Sequence, residues 1–169
     1  PDIPPHEIRR WVDLFASSNE AATMAETLAK QVNFGQGEKR AALVTGLVVL
    51  YARGGDLDKA LAVLEQSSEK YADDATLLTA LADTKITLAR EYMARGDDAG
   101  RSKGTALLEE VERRLPDNAA AKVLRAELLL RKSPPDLAAA EALARAASQS
   151  DAASPQALVV LADVYLRKN

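Results

Sequence analysis

Residues 41–74 compress a helix, a turn and a second helix into 34 positions, and no other feature restricts the fold as tightly. Leu43, Leu47, Leu50 and Tyr51 recur at helical spacing. Gly54-Gly55-Asp56-Leu57 then stops the chain and restarts it. Gly supplies the left-handed geometry that ends a helix, and Asp56 is placed to cap the next one. Ala60, Leu61, Leu64 and Ser67 carry the apolar face of that second helix. Helix, turn, helix is the unit.

The same punctuation returns along the chain, at Tyr71-Ala72-Asp73-Asp74-Ala75, at Leu115-Pro116-Asp117-Asn118-Ala119 and at Ala152-Ala153-Ser154-Pro155. Each stretch puts Asp, Asn or Ser where a side-chain oxygen can accept hydrogen bonds from the first free amides of a helix. Pro155 falls in a first turn, where a missing amide costs least. Ala fills 33 of the 169 positions and aromatics only 4%. Ala is the best helix former, whereas sheets favour β-branched and aromatic residues. The chain is expected to be all-α.

Leu47, Tyr51, Gly55-Asp56, Ala60 and Leu64, together with the 34-residue length, resemble a tetratricopeptide repeat, although Val48 stands where that family usually has a small residue. The resemblance extends over residues 41–169. A second unit, 75–118, keeps Leu81-Ala82 and Pro116-Asp117-Asn118 but is ten residues longer, with Gly104 in place of the expected Ala. Its first helix is expected to reach Arg95, with the excess looping out as Gly96-Asp97-Asp98-Ala99-Gly100. A third unit, 119–154, turns at Pro134-Pro135-Asp136 into a helix containing Ala140, Ala144 and Ala147. A partial fourth, 155–169, has Leu161-Ala162 and Tyr165. The resemblance implies a right-handed superhelical stack of antiparallel helical hairpins.

Residues 1–40 lack the repeat signature. Ile8, Trp11, Val12 and Phe15 mark one amphipathic helix, and Ala21, Ala25, Leu28, Ala29 and Val32 a second. Ser17 and Glu20 have the spacing of a capping box. This hairpin is expected to cap the first repeat or to be a decayed repeat. The chain opens on Pro1-Asp2-Ile3-Pro4-Pro5 and stops within a helical pattern, as a segment of a longer protein would.

Composition narrows the chemistry. Net charge is −3 and no basic stripe is visible, which argues against nucleic acid as partner. The longest apolar stretch, Ala41 to Ala52, is broken by Thr45 and Gly46 and is too short to span a bilayer. With no Cys there is neither a disulfide nor a thiolate metal site, and the compartment stays undecided between cytoplasm and periplasm or envelope. The single His, His6, sits at a helix start and reads as a surface residue. Asp73-Asp74 and Asp97-Asp98 lie at turns, where Asp satisfies free amides, and lack the pattern of a calcium loop. Gly100-Arg101-Ser102-Lys103-Gly104-Thr105 has phosphate-loop letters in the wrong order and no strand before it. No catalytic, metal or cofactor site is expected.

In tetratricopeptide proteins the first helices line a concave groove that holds a partner's peptide or helix. Transferred by repeat position, the groove takes Thr45, Val49 and Arg53 from the first unit and Thr79, Asp83 and Ile86 from the second. The third adds Val123, Glu127, Leu130 and Arg131, and the fourth Val159 and Asp163, beside Leu166. Repeats that clamp the acidic tails of chaperones carry Lys, Asn and Arg at several of these positions. Thr45, Val49 and Ala80 stand there instead, leaving a small, apolar groove suited to an amphipathic helix. Internal packing against residues 1–40 or another domain of the same chain is the alternative. The family resemblance implies an interaction scaffold, not an enzyme, similar to those of bacterial secretion and envelope-biogenesis machines. The second expectation is a regulatory or homo-oligomerising domain of a larger protein.

Overall fold

Among the described residues, the starts of five helices are capped by Asp or Asn side chains: Asp56, Asp74, Asp97, Asn118 and Asp136. The computed structural model describes residues 3–18, 20–150 and 155–168; within them lie nine α-helices, one 3-10 turn and no strand. The helices are α1 (Pro5–Phe15), α2 (Ala21–Ala29), α3 (Gly37–Arg53), α4 (Leu57–Lys70) and α5 (Ala75–Ala94). They continue as α6 (Asp98–Arg114), α7 (Ala119–Leu130), α8 (Leu137–Ser150) and α9 (Pro155–Lys168), and the 3-10 turn is Val32–Phe34. The described residues are all-α, as the composition predicts.

Three capping residues act as expected. Asp56 Oδ1 accepts the Lys59 amide at 3.1 Å, Asp74 Oδ1 that of Leu77 at 3.0 Å, and Asn118 Oδ1 that of Ala121 at 2.9 Å. Each supplies a partner that the first helical turn cannot provide for itself. Gly55, at φ +85°, makes the turn between α3 and α4. The turn expected at residues 152–154 lies outside the described residues.

Two local expectations are corrected. Ser17 and Glu20 form no capping box. Ser18 Oγ instead accepts the Glu20 amide at 3.1 Å and donates to the Phe15 carbonyl at 3.0 Å. That local turn sets Glu20 directly before α2, where its side chain makes no capping bond. The ten extra residues of the second unit also do not loop out. Asp97 Oδ1 accepts the Gly100 amide at 2.5 Å, so the chain re-enters a helix at Asp98. Six of the ten lengthen the helices, α5 and α6 having 20 and 17 residues against 17 and 14 for α3 and α4, and the other four reflect where the first unit is begun. At the other boundary α3 begins at Gly37, so residue 41 falls within its opening turns.

The chain divides into two compact units, Pro1–Gly104 and Thr105–Asn169. In the first, α1 and α2 pack on α3, and α3 packs on both α4 and α5. Ile8, Val12, Ala25, Leu28, Leu43, Leu47 and Leu50 form one buried cluster there. A fully buried Leu contributes about 1.5–3 kcal/mol relative to an exposed one, so the four leucines of this cluster matter more than any surface ion pair. In the second unit α7 packs on α8 and α9, and α8 on α9. Its core interleaves Val123, Ala126 and Leu130 with Ala140, Ala144 and Ala147 of α8 and Val160 and Val164 of α9. The three Ala side chains let the neighbouring helices approach closely.

Candidate functional site

Apolar side chains of the expected groove go mainly to the interior. Ile86 is 4% exposed, Val123 1% and Leu130 5%, so these three belong to the cores of their units and present nothing to a ligand. Val49 is half-buried, in a cleft of about 280 Å³ between α1 and α3 whose walls include Arg9, Val12, Asp13 and Ala42. Thr45 lines the same cleft, but its hydroxyl is spent on the Ala41 carbonyl at 2.8 Å. Beside the cleft α1 comes close to α3 at Gly46: a Cβ there would lie 2.6 Å from Val12 Cγ2. In the first unit, therefore, α1 lies beside two of the expected groove residues, Thr45 and Val49.

Polar candidates divide similarly. Arg53, exposed, faces half-buried Glu91 at 3.7 Å, a long contact of little energetic weight. Thr79 and Asp83 are exposed on α5, and Thr79 Oγ1 donates to the Ala75 carbonyl at 2.9 Å. Arg131 is exposed and Glu127 half-buried. Asp163 serves the structure: it holds Arg167 Nε at 2.8 Å, and Arg167 Nη1 donates to the Leu130 carbonyl at 2.9 Å. A guanidinium thereby satisfies one of the carbonyls left free at the end of α7 and complements its dipole. The hydrogen bond to Asp163 is the main reason the Arg167 pKa is raised.

One apolar candidate remains open. Val159 is 66% exposed, with Leu158 at 57% and Leu166 at 77% on the same helix. The opposite side of α9, through Ala157, Val160 and Val164, is buried in the second unit's core. Val159, Ala162 and Leu166 follow the three- and four-residue spacing of a docking seam. Surface leucines scattered singly need no explanation, but a row of them on a helix already buried on its other side does.

Several consequential residues escape the repeat alignment. Tyr92 is fully buried in α5, its hydroxyl 2.8 Å from the Leu57 carbonyl and 3.0 Å from Asp58 Oδ1. Lys103 donates to the same carboxylate at 2.6 Å. That bond from Lys103, then the one from Tyr92, lowers the Asp58 pKa; burial, then the bond to Asp58, raises that of Tyr92. Arg40 donates to Asp74 at 2.9 Å and lies over the Tyr71 ring at 4.1 Å. In the second unit Arg125 forks onto Glu112 at 3.0 and 2.6 Å, which raises its pKa. The available signal is spacing: Arg40 to Asp74 and Asp58 to Tyr92 are both 34 residues apart.

Among the described residues no group of three His, Asp or Glu side chains is placed to hold a metal ion, and no helix is long and apolar enough to cross a membrane. No family model, curated protein or solved structure matches the chain.

Proposed function

We propose that this chain is a protein-interaction scaffold built from tetratricopeptide-like hairpins, and that it holds a helix or apolar peptide of a partner within a larger bacterial assembly, secretion or envelope-biogenesis protein. The observation that carries this reading is the exposed row Leu158, Val159 and Leu166 on α9. A helix apolar on both sides is suited to burial between two layers, and one of them is supplied by α7 and α8. The Arg40–Asp74 and Asp58–Tyr92 bonds tie the α3–α4 hairpin to α5, the first helix of the next, and so support a stack of hairpins. The burial of Ile86, Val123 and Leu130 argues against a long apolar groove, and the exposure of Val159 supports docking at α9 instead.

The test is capture of a partner by the wild-type chain and by the double variant Val159→Asp/Leu166→Asp. Both sites are exposed, so helicity should be unchanged while capture is lost. Capture that survives the substitutions contradicts the assignment. The same row also suits self-association of a regulatory or oligomerising domain. Light scattering separates the two: a wild-type dimer that the double variant reduces to a monomer favours self-association.

A further inference from the structure

A second apolar opening lies on the first unit, away from the residues of the expected groove. The 3-10 turn Val32–Phe34 and helix α4 wall a cleft of about 210 Å³, with Val32, Leu47 and Val63 among its apolar lining. Lys70, Asn33 and Tyr71 line it too. Lys70 Nζ donates to Asn33 Oδ1 at 2.7 Å and lies 5.3 Å from the Tyr71 ring centroid; the Tyr71 hydroxyl reaches the same oxygen at 3.3 Å. Among the described residues no carboxylate forms an ion pair with Lys70, so a full positive charge at the cleft is held only by neutral groups. Asn33 Oδ1 takes both bonds, and the Asn33 amide nitrogen donates none among the described residues. Phe34, next in sequence, is 77% exposed in a chain with only two Phe residues.

We propose that this cleft is a docking site for a partner segment that presents one apolar side chain beside a carboxylate. The volume decides between a side chain and a free ligand: pockets that enclose whole small molecules usually measure about 300–1,000 Å³. At about 210 Å³ the cleft is sized for a single side chain. Lys70 and the Asn33 amide supply the complement to the carboxylate, and a charge-assisted hydrogen bond is stronger than a neutral one. The site does not depend on α9, so it stands or falls separately from the docking face assigned there.

The probe is a blocked five-residue peptide with a central Leu flanked by Glu, titrated at millimolar concentration into the isotopically labelled full chain. Saturable shifts of the Asn33, Lys70 and Tyr71 amide resonances are expected. Replacing the probe's Glu by Gln, or Lys70→Gln in the protein, should weaken binding by about tenfold, the loss of one charge-assisted bond. Lys70 is exposed, and an unchanged circular dichroism spectrum verifies that its variant is folded. Absent shifts, or equal affinity for the Gln probe, would overturn the proposal. So would tighter binding of 4-methylpentanoate than of the peptide, which would make the cleft a site for free acids.

Discussion

Arg40 Nη1 and Asp74 Oδ2 meet at 2.9 Å across 34 residues of sequence, joining the start of α3 to the cap of α5. Asp74 therefore has two duties, because its other oxygen accepts the Leu77 amide. Separate substitutions distinguish them. Asp74→Asn keeps a cap and loses the ion pair, at a cost of about 1 kcal/mol for a partly buried pair. Asp74→Ala loses both and should cost about 2 kcal/mol or more. Urea unfolding of the two variants measures the difference; equal losses would show that the cap contributes nothing.

Tyr92 ties α5 to the first turn of α4, and Tyr92→Phe removes only the oxygen that does so. With the Leu57 carbonyl left short of a partner in the interior, the expected loss is about 1–2 kcal/mol. A loss within error would mean that water replaces the hydroxyl.

The Lys103 bond to Asp58 and the burial of Tyr92, together with the contact between the two, also predict a response to pH at both ends. Asp58 has a lowered folded pKa, so its contribution is complete above its unfolded value of 3.8 and disappears as pH falls through the folded one. Tyr92 has a raised folded pKa, so its contribution is complete below its unfolded value of 10.0 and disappears as pH rises towards the folded one. Unfolding midpoints followed over pH should decline in acid less steeply for Asp58→Asn than for the wild type. In alkali, Tyr92→Phe should flatten the corresponding decline. Parallel curves for variant and wild type would show that neither group contributes to the pH dependence.

Gly46 permits α1 to cross α3, and Gly46→Ala sets a methyl carbon 2.6 Å from Val12 Cγ2. Overpacking of this kind costs about 1–3 kcal/mol. Combining it with Val12→Ala makes room for the methyl, so the double variant should lose clearly less than the sum of the two single ones. Additive losses in thermal melts would contradict the contact.

What is legible in the sequence is local. Asp56, Asp74 and Asn118 are readable as caps because a cap bonds three residues ahead, within the reach of a pattern. Gly55 is readable as a turn for the same reason. Ser17 and Glu20 mislead because Ser18, one residue on, forms the competing turn. Gly104 reads as a missing Ala until α5 is seen beside it: a Cβ would lie 2.7 Å from Met93 Cγ and 2.8 Å from the Ala89 carbonyl oxygen. Val123 and Leu130 cannot be recognised as core from a repeat alignment. Their burial depends on how closely Ala140, Ala144 and Ala147 let α8 approach, and that distance is a property of the packed unit.

Site-specific photocrosslinking from position 159 in cells tests the scaffold assignment most directly. A photoreactive residue replacing Val159 should join the chain to a different protein, whereas one replacing the exposed Ala138 on α8 should not. The Leu166→Asp substitution should abolish the adduct. Crosslinks from position 159 only to a second copy of this chain, or to nothing at all, would contradict the assignment.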